Sequence, residues 1–374
     1  MEPSSSLSSS PITRGRINRR DFIRICSLAA AAVGLPGSSV ARLVEAAGQG
    51  KKPSVIWLSF QECTGCTESM LRTSHPQLDE LILDLISLDY HEALLAPSGH
   101  LAEAAKVAAM EAHRGRYILV VEGAIPTKDD GIYCKIGGRT ALEIVREAAE
   151  GAGAIIAIGS CASFGGIPAA DPNPTGAQGA AQVLAGKTVV TLPGCPANPY
   201  IFLGTALQYA TFGTLPALDE QGRPKFAYGR TIHEHCPRRP HFDAGRFALS
   251  FGDSGHREGW CLYQLGCKGP QTHASCSVLH FNEVVNAWPI GNGHPCFGCT
   301  EAKIAFRVPL HATAEIERPT PPDTYPAIAP EREGVSPVAT GAAGLIGGAL
   351  LGAGLMASRK LGEAEGPKEE GARP

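Results

Sequence analysis

Three short runs set thiols among glycines: Glu62-Cys63-Thr64-Gly65-Cys66, Gly159-Ser160-Cys161 and Pro193-Gly194-Cys195-Pro196. A second, denser group follows: Cys236, Cys261, Cys267, Cys276, Cys296 and Cys299, with His233 and His235 just ahead of the first of them. Thiolate and imidazole are soft to borderline donors, so these residues can bind zinc, iron–sulfur clusters or, as CxxC pairs, exchange disulfides. Four cysteines suffice for a tetrahedral zinc or a four-iron cluster. Structural zinc more often joins two CxxC knuckles, whereas the first four thiols come from three separated runs. Cys26 and Cys134 stand apart from both groups.

Something must bring the separated runs together. Strand-like apolar runs at 55–58, 117–121, 154–158 and 188–192 alternate with helix-compatible segments at 78–88, 101–111 and 140–150. That alternation predicts a parallel, doubly wound α/β sheet. Three of the four runs lead straight into thiols. Ligands of open α/β sheets bind beyond the carboxyl ends of strands, so Cys63, Cys66, Cys161 and Cys195 are expected to converge. Cys134, in Gly131-Ile132-Tyr133-Cys134, reads as a buried free thiol packing as a small hydrophobe. From about residue 230 the periodicity fades while cysteines crowd, so this region needs inorganic cross-links to fold.

Composition excludes several classes. The chain has 374 residues, 44% hydrophobic and 18% charged, with net charge -3. It is globular, and it has no basic field for nucleic acid. No Ser/His/Asp triad, Walker loop or post-strand GxGxxG is present. The 44 glycines and 29 prolines predict many turns.

The two ends read as address and anchor. A Ser-rich start leads to Arg19-Arg20-Asp21-Phe22-Ile23-Arg24 and a mildly apolar run, a twin-arginine signal ending at Val44-Glu45-Ala46. Such a signal exports folded protein, which suits cofactors inserted beforehand, and it would discard Cys26. Near the other end, 334–358 is free of charge and long enough to span a bilayer, with Gly344, Gly348 and Gly352 as a close-packing ridge. Arg359 and Lys360 follow it, placing the C-terminus in the cytoplasm and the globular part on the periplasmic side of the inner membrane. Pro319, Pro321, Pro322, Pro326 and Pro330 stiffen the linker.

Six motifs make the reading specific: Glu62-Cys63-Thr64-Gly65-Cys66-Thr67-Glu68-Ser69, Glu122-Gly123 with Ile125-Pro126, Pro193-Gly194-Cys195-Pro196, His233 with Cys236, Arg257-Glu258-Gly259-Trp260-Cys261, and His294-Pro295-Cys296 with Gly298-Cys299. Together they resemble the small, iron–sulfur subunits of membrane-bound nickel–iron hydrogenases; signal, anchor and Ile232-His233-Glu234-His235-Cys236 are most similar to the hydrogenase-2 type. The resemblance implies a proximal [4Fe-4S] cluster on Cys63, Cys66, Cys161 and Cys195. It implies a distal [4Fe-4S] cluster on His233, Cys236, Cys261 and Cys267, and a medial [3Fe-4S] cluster on Cys276, Cys296 and Cys299. His235 rivals His233 as the imidazole ligand, but His233 has the family's spacing to Cys236. Pro289 stands where a fourth medial thiolate would complete a cubane.

The implied fold is α/β: a flavodoxin-like doubly wound parallel sheet, then a largely irregular cluster domain and a C-terminal transmembrane helix. The segments are 1–46 signal, 47–229 flavodoxin-like domain with the proximal cluster, 230–315 medial and distal cluster domain, 316–333 linker, 334–358 anchor and 359–374 cytoplasmic tail. The implied role is electron transfer from hydrogen oxidation at a nickel–iron centre on a partner large subunit. The acceptor is a membrane partner and quinone, through a ferredoxin-like protein with a quinone-reactive integral membrane protein, or through a cytochrome b. The Tat translocase is the export partner. No catalytic group is expected on this chain, with Glu62 either a proton relay or a turn carboxylate taking backbone hydrogen bonds. Oxygen-tolerant relatives carry two extra proximal cysteines where this chain has Gly65 and Gly166, so an oxygen-sensitive enzyme is expected. The alternatives are an iron–sulfur subunit of another respiratory complex and a zinc-stapled exported binding protein.

Overall fold

The computed structural model describes residues 52–73, 86–281 and 284–316. The signal, most of the linker, the anchor and the tail lie outside the described residues. Among the described residues no helix is long and apolar enough to cross a membrane.

The elements up to residue 212 are β1 (Ser54–Ser59), α1 (Gly65–Leu71), β2 (Ser87–His91), α2 (His100–Ala112), β3 (Ile118–Glu122), α3 (Ala141–Glu150), β4 (Ala154–Ile158), α4 (Gly159–Phe164), β5 (Val189–Leu192) and α5 (Pro199–Phe212), joined by short ladders and turns. The five strands form one sheet in the order β2-β1-β3-β4-β5, every pair parallel. This is the flavodoxin-like order, with its switch point between β1 and β3.

Strand alternation divides the core. Val55, Trp57, Ile118, Val120, Ile156 and Ile158 face one side and pack with Ile201, Phe202 and Ala206 of α5. Ile56, Leu58, Leu119, Val121, Ile155 and Ala157 face the other and meet Ile144, Val145 and Ala148 of α3. Burial on both faces explains why the central strands read as unbroken apolar runs. Two helix starts are equally local. Thr140 and Glu143 form a reciprocal capping box on α3, and Asn198 caps α5 ahead of Pro199.

One element departs from expectation. Ser87 and Leu88, expected at the end of a helix, open β2, while 78–85 lie outside the described residues. The segment Ser87-Leu88-Asp89-Tyr90-His91 has little apolar content, and only its pairing along the edge of β1 makes it a strand.

Beyond α5 the chain runs in single turns, Lys225–Tyr228, Ile232–His235, Arg239–Asp243 and Ser254–Arg257, with two 3-10 turns at Tyr263–Leu265 and Gly269–Gln271. The core of this region is thin, and Cys236, Cys267 and Cys296 are themselves members of it. It is latched to the sheet by polar contacts. Ser160 donates to the carbonyl of Cys299, Tyr228 to that of Pro193 at 2.8 Å, and Asn198 to that of Leu279 at 3.1 Å. Arg223 bridges Asp219 at 2.7 Å and Glu301 at 2.8 Å with its guanidinium almost wholly buried.

Candidate metal centres

The first four thiols converge as the strand ends require. Cys66 rides on α1, Cys161 on α4, and Cys63 and Cys195 sit in the loops after β1 and β5. Burial pushes the Cys66 thiol well up, and negative charge on Glu122, Cys161 and Cys195 pushes further. Cys161 is pushed up to about 11, mainly by burial, with Cys195 and Cys63 adding to it. Cys195 is raised by burial and by Cys63. Thiols so placed ionise together only around a cationic centre.

Glycines make room for the sulfurs. A Cβ on Gly159, at φ +82, would lie 2.5 Å from Cys66 Sγ, and one on Gly166, at φ +51, would lie 2.7 Å from Cys161 Sγ. A Cβ on Gly65 would stand 3.1 Å from Cys63 Sγ.

The start of α1 is held from a distance. Thr64, at its N-cap, has φ 61 and gives no side-chain cap. Glu122, closing β3, accepts instead from the N–H groups of Cys66 at 3.0 Å and Thr67 at 3.1 Å. Its other oxygen accepts from Trp57 Nε1 at 2.9 Å and from the Thr67 hydroxyl. Behind Thr67 lies His91, stacked on Trp57, with Nε2 3.0 Å from the Thr67 hydroxyl and Nδ1 accepting from the N–H of Ala93. Burial pulls His91 down to about 4, so the ring is neutral and donates through Nε2. In the sequence Glu122 stands out only as part of a motif, and Trp57 and His91 do not stand out at all; the signal available was a carboxylate ending an otherwise apolar strand.

Glu62 behaves differently from a turn carboxylate. One oxygen accepts weakly from the Thr64 hydroxyl at 3.4 Å, the other is buried without a partner among the described residues, and burial with the nearby Glu122 pushes its pKa up to about 7. The backbone-accepting carboxylate is Glu122.

His233, Cys236, Cys261 and Cys267 line one cavity, joined by Arg238 and Arg239. Burial and Arg239 bring His233 down to about 4, leaving a neutral imidazole whose Nε2 is buried with no partner among the described residues. The Arg239 guanidinium is fully buried; Nε donates to Asp243 at 2.9 Å, while Nη1 and Nη2 have no partner among the described residues. Orphaned buried donors and an orphaned imidazole need explaining, and a sulfide-bearing cluster would accept from the one and be ligated by the other. His235 is elsewhere, its Nε2 3.1 Å from Arg230 beside an open surface pocket.

Cys276, Cys296 and Cys299 line a third, apolar cavity of about 70 Å³ with Tyr228, Trp288 and Pro289, and Cys195 of the first group shares its wall. Cys299 is pushed up to about 12 by burial and Cys276, and the backbone of Cys195 beside it tempers the rise. Charge on Cys267 of the second group is felt at Cys296. The third set therefore lies between the other two. Among the described residues no three His, Cys, Asp or Glu side chains gather as around a single metal ion. Cys134 joins none of the sets; it is half-buried against the core under α3.

Residues 228–311 match the family model for the C-terminal part of NiFe/NiFeSe hydrogenase small subunits, and residues 63–209 match that of the 20 Kd subunit of NADH ubiquinone oxidoreductase. The chain is 52% identical to the Hydrogenase-2 small chain of Escherichia coli (strain K12) over 349 residues, 92% of this chain and 93% of the relative. The chain belongs to the nickel–iron hydrogenase small-subunit family. The Quinone-reactive Ni/Fe-hydrogenase small chain of Wolinella succinogenes is 47% identical over 76% of this chain and 80% of its own. In structure, a chain of the Ni-Fe-Se hydrogenase from Desulfomicrobium baculatum superposes with a TM-score of 0.66 at 36% identity, covering 70% of this chain and all of that one. As a hydrogenase small subunit the protein is the electron-transfer half of a heterodimeric oxidoreductase, pairs with a large subunit and carries iron–sulfur clusters. The sheet half is shared with the respiratory family; the region from 228 onward is what the hydrogenase model adds.

Proposed function

We propose that the three sets hold three clusters in a row: a proximal [4Fe-4S] on Cys63, Cys66, Cys161 and Cys195, a medial [3Fe-4S] on Cys276, Cys296 and Cys299, and a distal [4Fe-4S] on His233, Cys236, Cys261 and Cys267. Bound there, the clusters supply one-electron carriage between the large subunit's nickel–iron centre and a membrane acceptor, then quinone. The observation that carries this reading is the order of the sets, with Cys195 sharing the third cavity and Cys267 neighbouring Cys296. Three thiolates with Pro289 in the same wall suit a three-iron cluster rather than a cubane. The chain's own residues act by holding and insulating: Tyr228, Trp288 and Phe297 keep water from the medial site, while the neutral His233 leaves the distal site less negative than four thiolates would.

The same reading includes the twin-arginine signal over 1–46, the linker over 316–333, the anchor over 334–358 and a periplasmic globular part. The relative named quinone-reactive supports the membrane route. Glu62, with its half-free carboxyl near neutrality, is the candidate proton relay. Gly65 and Gly166 beside ligand sulfurs give an ordinary cubane and an oxygen-sensitive enzyme.

Electron paramagnetic resonance of the purified heterodimer, with iron and sulfide analysis, tests the assignment. Oxidation is expected to produce a three-iron signal. Its absence from protein with full iron content would refute the medial assignment.

A further inference from the structure

Lys268 is 1% exposed. Its ammonium donates to three backbone carbonyls: Gly266 at 3.1 Å, Leu310 at 3.4 Å and Ala312. Three N–H donors meeting three acceptors suit the charged form. Among the described residues no carboxylate pairs with it, and Cys267 and Cys296 are the neighbouring groups able to carry negative charge. A buried cation without a carboxylate is costly unless another anion is close. The thiolates on either side are the available anions. Lys268 follows Cys267 directly, and its backbone N–H donates to the carbonyl of Cys296 at 2.7 Å, so one residue links the second ligand set to the third.

The ammonium is sealed from outside by residues 310–314. Tyr263 donates to the carbonyl of Ala314 at 2.7 Å, and His311 Nδ1 lies 3.2 Å from the carbonyl of Leu265. Gly266, at φ +88, has the His311 backbone 2.5 Å from where a Cβ would be. This strap is the last described stretch before the linker.

We propose that Lys268 is a positioning and tuning residue for electron transfer, a fixed cation shared by the medial and distal clusters and locked in place by the 310–314 strap. It rests on the cluster assignment above. A positive charge held close in a dry site stabilises the reduced form of each cluster and raises both potentials.

Redox titration of the holo heterodimer, followed by paramagnetic resonance, tests it with Lys268→Met, Lys268→Gln and Lys268→Arg. Wild-type protein lacking the medial and distal signals would refute the assignment rather than this role. With the clusters loaded, both neutral variants are expected to shift both midpoint potentials downward, with Arg remaining near wild type. Unmoved potentials in the neutral variants, or an Arg shift as large as theirs, would overturn the proposal. So would loss of the clusters in both neutral variants with recovery in Arg, which is the behaviour of a folding staple. Amide hydrogen exchange reports the lock: residues 310–314 are expected to exchange faster in Lys268→Met, and unchanged protection there refutes it.

Discussion

At the scale of single residues, Glu122 concentrates more obligations than any ligand. Four donors from β1 and α1 end on its carboxylate, two of them backbone N–H groups that a helix start leaves without partners. Glu122→Ala strands all four, and each unsatisfied buried donor costs about 1–3 kcal/mol. The expected result is a lowered thermal midpoint together with loss of proximal iron, read by calorimetry and metal analysis. His91 gives a pH signature. Its folded pKa of about 4 lies below the ordinary 6.5, so between those values the unfolded chain takes up a proton that the folded one refuses. Its contribution, of order 3 kcal/mol, is therefore complete above about pH 6.5 and lost as pH falls toward 4. Denaturation of wild type and His91→Gln across that window is expected to show a steeper acid loss in wild type; parallel curves would contradict it.

At the scale of elements, the proximal site depends on how strands hand over to helices. β4 passes into α4 through Gly159, whose positive φ turns the chain so that Cys161 faces the other three thiols while leaving Cys66 space. Gly159→Ala places a methyl group against Cys66 Sγ on a backbone L-residues rarely adopt. The medial and distal signals are expected to survive while the proximal cluster is lost, which resonance spectra can separate. Wild-type proximal loading would show that the loop can yield. Thr140 offers a contrast, being outside all three ligand sets: Thr140→Ala removes a capping box and is expected to cost about 1 kcal/mol with no spectroscopic change, measured by denaturation.

At the scale of the whole molecule, a well-formed sheet carries a region with scarcely any regular structure, and the joint between them is polar. Arg223, held by Asp219, reaches Glu301, which also accepts from the N–H of His273 at 2.8 Å. Breaking one side of such a buried pair typically costs about 3–5 kcal/mol. Arg223→Met is expected to loosen 273–301 from the sheet and release medial iron first, seen as faster hydrogen exchange there and a weakened three-iron signal.

What the sequence by itself determined here are the features with a local signature. The buried strands are written as apolar runs, the capping box as Thr140 and Glu143 three apart, and the thiol loops as motifs at strand ends. That the first four thiols would meet followed from those elements, because parallel strands bring their carboxyl ends to one edge. Only the tertiary structure decided the rest. β2 is a strand because β1 offers it an edge. His233 rather than His235 enters the second cage because the turn at 232–235 buries one ring and turns the other toward Arg230. Glu122 acts on α1 from 56 positions away, and Lys268 meets carbonyls more than forty positions on. Contacts of that range leave no period or spacing in the chain; they exist once the packing brings their partners within hydrogen-bond reach.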